Sequence, residues 1–545
     1  VRTTVYLTDN QLEEEQVLQR RLGLQVIPGI FFTSAGIAAL FVVLAITFDK
    51  AVSESFGLLT TYIARNLGWF YIFSVSSILV FLISIAVSRY GNIRLGSDES
   101  RPDYSNLTWF TMLFAAGIGT ILMFWGVAEP ISHFAHPPFE GVQARSHQAA
   151  KDAMSISLYH FGLHTWAIFA MPGLAIAYFS YRHNLPMRIS SLFFPILGER
   201  TFGPWGWSID IIAVLGTLFG VATSLGLGTL QLNSGLNYLF DLPSNGLVQV
   251  ILIGIIISIA TGSVALGLDK GVRRLSQLNI LLSVLLLLFV LIVGPSVFIA
   301  DGIVQTLGSY LNDLPFMSFW TSTFNDTDWQ QKWTLFYWAW TISWAPYVGA
   351  FIARISRGRT IREFIFGVLL APTAFTLLWF GIFGLSAIYV DMNDQVALAE
   401  KVQSDPSVAI FAFLGNFPFT EFASILSLAI IIIFFTTSSD SASLVIDMLT
   451  RRDDQLSLIR QRVFWTIAQG AIAAALLLAG GLDALQNVIT SLGLPFCVLL
   501  IFMSISFFKA LKADYRGYNM NELVQGRAFP EVEADIRKTS ENDNV

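Results

Sequence analysis

Charge is scarce in this 545-residue chain: Asp, Glu, Lys and Arg make up only 13% of it, about half of the share typical of soluble domains. Polar linkers between domains are also missing. Hydrophobic residues reach 54%, and the mean hydropathy is +0.62. Apolar runs recur from Val26 to Phe508, each long enough to cross about 30 Å of hydrocarbon. The composition excludes an ordinary soluble protein and predicts an all-α integral membrane protein.

Cysteine and the common catalytic motifs are equally scarce. Cys497 is the single cysteine, which excludes a disulfide within the chain. The six histidines form no His-Glu-x-x-His pattern, and neither a Gly-x-Ser-x-Gly elbow nor a P-loop occurs. We therefore predict no enzymatic activity, no ATP-driven pumping and no cofactor. The net charge of −6, without a basic face, gives no indication of nucleic acid binding.

The apolar runs predict twelve transmembrane helices. Basic loops such as Arg273-Arg274 follow the even-numbered spans, whereas the intervening segments are acidic and include Asp301 and Asp313. The positive-inside rule then places a segment 1–25 and a tail 509–545 in the cytoplasm, around a membrane domain 26–508. The predicted spans are Val26–Phe48, Leu67–Ser88, Leu107–Val127, Ala153–Tyr181, Ile209–Phe240, Leu247–Leu268, Leu278–Ala300, Trp333–Ile355, Phe364–Val390, Phe422–Leu449, Val463–Ala479 and Ile489–Phe508.

Two pairs of weakly similar segments indicate an internal repeat. Thr108–Gly117 resembles Lys332–Trp340, and Phe219–Gly226 resembles Phe435–Ala442. The pairs occur in matching order if residues 107–300 and 333–508 are five-helix repeats preceded by two extra helices. Inverted repeats of this kind place a transporter's substrate at their interface.

Glycine interrupts the third span. Gly117 and Gly119 each weaken a helix by about 1 kcal/mol relative to Ala. Backbone groups freed inside a membrane need partners, and a bound ion and an anionic substrate group can supply them. Close helix packing through small residues is the alternative. We predict that the broken helix around Ala116-Gly117-Ile118-Gly119 meets the tryptophan-rich segment Trp333–Trp344 at the substrate site.

Tryptophan is concentrated in the middle of the eighth span. Trp340 and Trp344 are four residues apart and share a helical face, too deep in the span for an interfacial belt. Clustered indoles bind quaternary cations, with about 2 kcal/mol from each desolvated contact. Aromatic packing is the alternative. The fourth span supplies further candidate walls: Phe161, Trp166 and Phe169.

The tenth span contains a hydroxyl-rich segment, Phe434–Ser443. Its hydroxyls and backbone carbonyls suit a sodium ion, a hard cation, whereas bonds back to helix carbonyls are the alternative. Asp440 is expected to be hydrogen-bonded by these hydroxyls in a structural role. His160 and His164 of the fourth span share a helical face, but the sequence offers no third metal ligand. We favour a structural hydrogen bond for His164.

At these residues the chain resembles the betaine/carnitine/choline transporter family. The resemblance rests on Phe114–Gly119, Gly126–Pro130, Trp333–Phe364 and Thr437–Ser443, and covers about Val26 to Phe508. It implies twelve helices in a LeuT-type 5+5 inverted repeat preceded by two extra helices, usually as a homotrimer in membrane lipid. It also implies transport of small zwitterionic or cationic solutes that carry an ammonium group.

Carried over by position, the resemblance implies one sodium site. Its ligands would be the backbones of Ala115, Ile118 and Phe434 and the hydroxyls of Thr437 and Ser438. Family members can hold a second sodium ion between two threonines of the fifth span. Thr217 matches one of them, but Val221 occupies the other position, so a second site needs Thr223 or Ser224 instead.

The implied substrate contacts depart from the family pattern. Thr341 stands where a tryptophan is usual, Phe161 and Phe169 replace Trp and Tyr, and Thr120 alters the glycine segment. We therefore predict a ring-shaped or more polar solute, such as ectoine, a sulfonium compound or an amino-acid-like zwitterion, rather than glycine betaine alone. The implied contacts are Ala116, Gly117, Ile118, Gly119, Thr120, Phe161, Trp166, Phe169, Trp340, Thr341 and Trp344.

The sequence thus predicts a sodium-coupled symporter of compatible solutes that serves osmoprotection. A sodium-independent or proton-coupled transporter of the same solutes is the first alternative, and a solute-binding membrane sensor is the second. The hydroxyls of Thr437 and Ser438 favour sodium coupling.

Overall fold

The computed structural model describes residues 23–117, 119–266, 269–324, 327–393, 398–452, 457–518 and 520. Regular structure in these ranges is helical, apart from one β-bridge between Arg94 and Thr360. The longer helices are α1 Pro28–Thr47, α2 Asp49–Val87, α3 Asn106–Gly117, α4 Thr120–Ala135, α5 His147–Phe161, α6 Leu163–Ala177, α7 Pro204–Phe240, α8 Gly246–Ala265, α9 Asp269–Val293, α10 Ser296–Ser318, α11 Phe336–Ile355, α12 Ile361–Asn393, α13 Thr420–Thr450 and α14 Ile459–Tyr515. Shorter helical segments are Arg89–Asn92, Tyr178–Arg182, Ser190–Phe193, Phe194–Leu197, Gly198–Phe202, Gln331–Leu335, Leu398–Ser404, Pro406–Val408 and Ala409–Leu414.

Nine helices in the described part of the chain are long and apolar enough to cross a membrane. The prediction of a multi-span helical protein is confirmed. The longest helix, α14, covers the last two predicted spans, and non-helical backbone angles at Gly480 and Gly481 divide it between them. The count of twelve spans and the LeuT-type arrangement stay predictions.

The predicted break in the third span is confirmed. Helix α3 ends at Gly117 and α4 begins at Thr120. The carbonyl of Gly119 accepts hydrogen bonds from the amides of Leu122 and Met123, both at 3.1 Å, and so opens α4. A second break, which the sequence did not predict, separates α5 from α6 at Gly162.

Two predicted boundaries were wrong. Helix α2 begins at Asp49 rather than Leu67 and has 39 residues, or about 58 Å of helix. The seventh span ends at Val293, and Asp301 and Asp313 lie on α10 rather than in a loop. Helix α10 forms because one of its faces packs against α5 and α12, and packing of this kind overrides the weak helix propensity of Asp.

Helix α11 lies at the centre of the protein. Nearly all of its residues are buried, and it packs against α6, α7 and α14. Small residues permit these close approaches: a Cβ on Gly349 would lie 2.9 Å from the amide nitrogen of Gly173, and one on Gly493 would lie 2.8 Å from the carbonyl oxygen of Ala339. The tryptophans of α11 are therefore enclosed by other helices.

Backbone hydrogen bonds join the loop after α11 to the segment after α2. The amide of Gly358 donates to the carbonyl of Leu95, and the amide of Leu95 donates to the carbonyl of Arg359, both at 2.8 Å. The Arg359 guanidinium lies 3.9 Å from the ring centroid of Trp109 on α3. The loop thus connects the end of α11 to the broken third span.

We expect Gly358→Ala to destabilise the protein by about 2–5 kcal/mol. Gly358 has φ +79°, and a Cβ there would overlap the backbone of Arg101. The left-handed backbone costs a non-glycine residue about 1–2 kcal/mol, and overpacking adds about 1–3 kcal/mol. Thermal unfolding in detergent measures the effect.

Gly141→Ala is the matched control, because Gly141 has φ +75° with no atom within 4 Å of an added Cβ. It carries the backbone strain without the overlap. If both variants lower the melting temperature equally, the contact between Gly358 and Arg101 does not limit stability.

Candidate functional site

The break in the third span contacts the hydroxyl-rich segment of α13. The ring of Phe434 lies so close to Gly119 that a Cβ on this glycine would overlap it. Ile118 lies outside the described residues, as do the side chains of Ala115, Ala116 and Thr120, and nothing beyond the helix end is described for Gly117. Gly119 is thus the residue of the glycine segment that the structure places directly against α13.

Oxygen ligands are available immediately beside this contact. The hydroxyl of Thr437 donates to the carbonyl of Phe434 at 3.0 Å. Its proton is therefore used within the helix, whereas its lone pairs stay available to a cation. Ser438 follows and is half-buried. A hydroxyl and a carbonyl one turn apart suit a hard monovalent cation.

Four predicted aromatic residues form one group. Trp166 and Phe169 of α6 have ring centroids 5.6 Å apart, and Phe169 lies 6.4 Å from Trp344 of α11. Trp340 stacks on Trp344 at 6.5 Å with an interplanar angle of 22°. We call Trp166, Phe169, Trp340 and Trp344 the aromatic group.

Phe161 lies in a different cluster. Its ring is 4.7 Å from Tyr337 and stacks on Phe380 at 5.3 Å. Because Tyr337 precedes Trp344 by seven residues on α11, the two are separated by about 10 Å along the helix. No ring contact joins Phe161 to the aromatic group in the described part of the chain.

Thr341, expected to add a hydroxyl to the cage, bonds to its own helix. The hydroxyl donates to the carbonyls of Tyr337, at 2.8 Å, and Trp338, at 3.1 Å. A hydroxyl has one proton to donate, so Thr341 can offer a solute only an accepting lone pair.

The two indole N–H groups of the α11 pair differ in their partners. The indole N–H of Trp340 donates to the carbonyl of Gly220 at 3.2 Å and to the hydroxyl of Ser224 at 3.1 Å. The buried N–H of Trp344 has no hydrogen bond in the described part of the chain. Buried donors are usually paired. Trp340 is thus hydrogen-bonded to α7, whereas the indole N–H of Trp344 could donate to a carboxylate.

Tyr347 connects the aromatic group to α13. Its ring lies 5.7 Å from Trp344, and its hydroxyl faces Ser441 of α13. Ser441 follows Thr437 by one helical turn. The aromatic group and the hydroxyl-rich segment are therefore two ends of one connected region.

The threonines of the second sodium prediction are both on α7. Thr217 and Thr223 are fully buried, and neither hydroxyl has a hydrogen bond among the described residues. On the same helix, a Cβ at Gly216 would lie 3.4 Å from the carbonyl oxygen of Ser343 on α11, whose own hydroxyl is also unpaired. A second sodium site at these threonines stays a prediction.

Two charge partners were missed by the sequence reasoning. Asp440 is bonded by Arg462 of α14 at 2.8 Å, a partner that the expectation of neighbouring hydroxyls did not include. His160 contacts Glu129 at 2.6 Å, whereas His164 bonds to the hydroxyl of Ser318 at 3.1 Å, which confirms its structural role. The spacing Glu129-x-x-x-His133 indicates that those two side chains share a helical face, but it gives no indication of His160.

Comparison with known proteins agrees with these motifs. The family described as "BCCT, betaine/carnitine/choline family transporter" matches residues 29–516. A glycine betaine transporter of Acinetobacter baylyi is 43% identical over 92% of this chain and 76% of its own length. An ectoine/glycine betaine/proline transporter of Corynebacterium glutamicum is 43% identical over 91% of this chain and 82% of its own length.

A high-affinity choline transport protein of Escherichia coli K12 is 41% identical over 91% of this chain and 73% of its own length. The predicted family is confirmed over nearly the whole chain. This multi-pass membrane protein belongs to the betaine/carnitine/choline family of transporters.

Proposed function

We propose that this protein is a sodium-coupled symporter that imports a small zwitterionic or ammonium-type compatible solute through a bacterial inner membrane. The observation that carries the proposal is the contact of Gly119 with Phe434, whose carbonyl and the Thr437 hydroxyl lie together. Sodium binding there would stabilise the broken third span against α13. The ion gradient would thereby be linked to the helix that the solute contacts.

The aromatic group is the proposed site for the solute's ammonium group. Cation–π attraction from the rings of Trp166, Phe169 and Trp344 favours a delocalised cation, and the unpaired N–H of Trp344 favours a carboxylate beside it. The relatives are named for betaine, choline, ectoine and proline. With Phe161 in another cluster and Thr341 in place of an indole, we propose a solute such as ectoine in preference to glycine betaine.

The proposed architecture has twelve helices in two inverted five-helix repeats, with both termini in the cytoplasm and three copies of the chain assembled in lipid. The interruption at Gly480-Gly481 supports two spans within α14. The basic loops after the even-numbered spans support the orientation.

Uptake into proteoliposomes tests the function. We expect a labelled solute to accumulate with an inward sodium gradient and not with an equal potassium gradient, and ectoine to compete better than glycine betaine, choline or proline. Uptake indifferent to sodium would remove sodium symport, and binding without uptake would favour a sensor. Glycine betaine as clearly the tightest competitor would refute the solute preference alone.

We expect the double variant Thr437→Val, Ser438→Ala to raise the sodium concentration for half-maximal uptake by about tenfold or more. A hydrogen bond or ligand contact to a charged group contributes about 1.5–3 kcal/mol, and 1.4 kcal/mol is tenfold in affinity. Uptake measured against external sodium reads the shift.

Thr436→Val is the matched control, because the Thr436 hydroxyl donates to the carbonyl of Ile432 within the same helix at 2.9 Å. It should leave the sodium dependence unchanged. An equal shift in both variants would assign the effect to helix packing and would count against the sodium site.

A further inference from the structure

A buried carboxylate and two imidazoles meet between α4 and α5. Glu129 and His133 lie on one face of α4, and His160 is the second-last residue of α5. Their exposed fractions are 0%, 1% and 0%, and one ligand atom from each lies within 4.8 Å of the others. We call these three residues the Glu–His–His cluster.

Polar atoms in this cluster lack partners. Neither ring nitrogen of His133 makes a hydrogen bond in the described part of the chain, and the same holds for Oε2 of Glu129. The hydroxyl of Tyr337 faces the same carboxylate but makes no hydrogen bond in the described part of the chain. Burying such groups unpaired costs free energy, so the cluster has capacity for a ligand.

The charge of the cluster is also unbalanced. The ion-pair contacts of Glu129 are with the two histidines, and no Lys or Arg of the described chain lies within 4 Å of it. A buried carboxylate is costly unless it is paired, protonated or bound to a metal. A divalent cation would offset this negative charge, with one positive charge left over, and would use the unpaired nitrogen and oxygen atoms together.

The distances suit a tetrahedral ion. Bonds of about 2.0–2.2 Å place neighbouring ligand atoms about 3.3–3.5 Å apart. Nε2 of His133 is already 3.4 Å from Oε1 of Glu129. Nδ1 of His160 is 2.6 Å from the same oxygen, so that pair would open by less than about 1 Å, or Glu129 would turn its free Oε2 to the ion.

A partner outside the cluster orients His160. Its Nε2 lies 3.0 Å from the hydroxyl of Thr334, which precedes α11. When one nitrogen of a histidine binds a metal, the other N–H normally donates to such a partner, which fixes the tautomer and the ring. Thr334 occupies that position for Nδ1 ligation.

Two half-buried tryptophans pack against His133. The rings of Trp333 and Trp329 lie 4.5 Å and 5.3 Å from His133, and both tryptophans are only half-buried. Lys332 and Asp328, their neighbours in the chain, are exposed. The cluster is therefore enclosed but close to solvent.

We propose that Glu129, His133 and His160 form a binding site for a divalent transition metal of the zinc class. Two imidazoles and one carboxylate are a common zinc ligand set, and nitrogen ligands select such metals over sodium, magnesium or calcium. The site is separate in residues and in chemistry from the oxygen ligands on α13.

Metal titration of the purified full-length protein tests the proposal. After treatment with a chelator, Co²⁺ should bind at one ion per chain and give the visible absorption of a four- or five-coordinate ion, which Zn²⁺ then displaces. His133→Ala should weaken Co²⁺ binding by about a hundredfold, and Thr334→Val, which removes no ligand, by about 10–100-fold.

His164→Gln is the matched control, since His164 is also fully buried but is bonded to Ser318. It should bind Co²⁺ as the unaltered protein does. His133→Gln replaces His133→Ala if the latter does not elute as a folded species on gel filtration. Absence of the absorption band, or equal Co²⁺ binding by the His133 variants and the unaltered protein, overturns the proposal and leaves a proton or water as the ligand.

Discussion

Replacing Gly119 with alanine is expected to lower the initial rate of solute uptake by roughly a hundredfold. The added methyl group would occupy the space of the Phe434 ring, so the break could no longer close against α13. Overpacking of this kind costs about 3 kcal/mol at the upper end of its usual range, and 1.4 kcal/mol is a factor of ten. Initial uptake of labelled solute, normalised to the protein in the membrane, measures the change.

Two comparisons separate the overlap from a general intolerance to substitution. Gly254→Ala, in the middle of α8, adds a methyl group with no atom within 4 Å and should keep uptake within about twofold. Phe434→Ala in the Gly119→Ala background removes the obstructing ring but keeps the backbone carbonyl, and should restore part of the uptake. If the Gly119 variant transports as well as the Gly254 variant, the Phe434 ring can move aside and its close contact with Gly119 is not required for transport.

The break at Gly119 could be predicted because its cause is local. Two glycines in three residues weaken a helix wherever they stand, and the structure ends α3 at Gly117. The apolar spans were predictable for a similar reason, since the thickness of the hydrocarbon sets their length. Features fixed by a few neighbouring residues are therefore well determined by the sequence.

Contacts across helices could not be predicted in the same way. Gly162 is a single glycine without a second breaker beside it, yet it separates α5 from α6. The helix carrying Asp301 depends on packing against α5 and α12 that no local pattern reveals. Phe161 has the right spacing for a cage wall, but its ring lies on Tyr337 and Phe380.

Side-chain hydrogen bonds account for several of the remaining differences between the sequence prediction and the structure. The sequence shows that position 341 is a threonine, but only the structure shows that its hydroxyl donates to a carbonyl of its own helix. Glu129 and His160 are separated by 31 positions, and nothing in either segment indicates that they meet. Similarly, the pairing of Asp440 with Arg462 joins α13 to α14 across 22 positions. A geometric description is needed wherever the chemistry depends on two separate helices.

Trp344→Leu is expected to raise the KM for solute by roughly thirtyfold with a smaller effect on the maximal rate. It removes a π face that contributes about 2 kcal/mol to a desolvated ammonium group, which is about thirtyfold in affinity. Uptake kinetics in cells that lack other transporters of the same solutes read KM and maximal rate separately. Trp69→Leu, at a tryptophan 57% exposed on α2, is the control and should change neither.

Trp344→Phe separates the ring of Trp344 from its N–H, which has no partner in the described chain. Phenylalanine keeps a π face but cannot donate a hydrogen bond, so a carboxylate on the solute would lose a contribution of about 1.5–3 kcal/mol. Glycine betaine carries a carboxylate and choline does not. Affinity for glycine betaine should therefore fall by about tenfold more than affinity for choline, whereas Trp344→Leu should weaken both. An equal change for the two solutes in Trp344→Phe would mean that the N–H does not meet the carboxylate, and that Trp344 recognises the ammonium group alone.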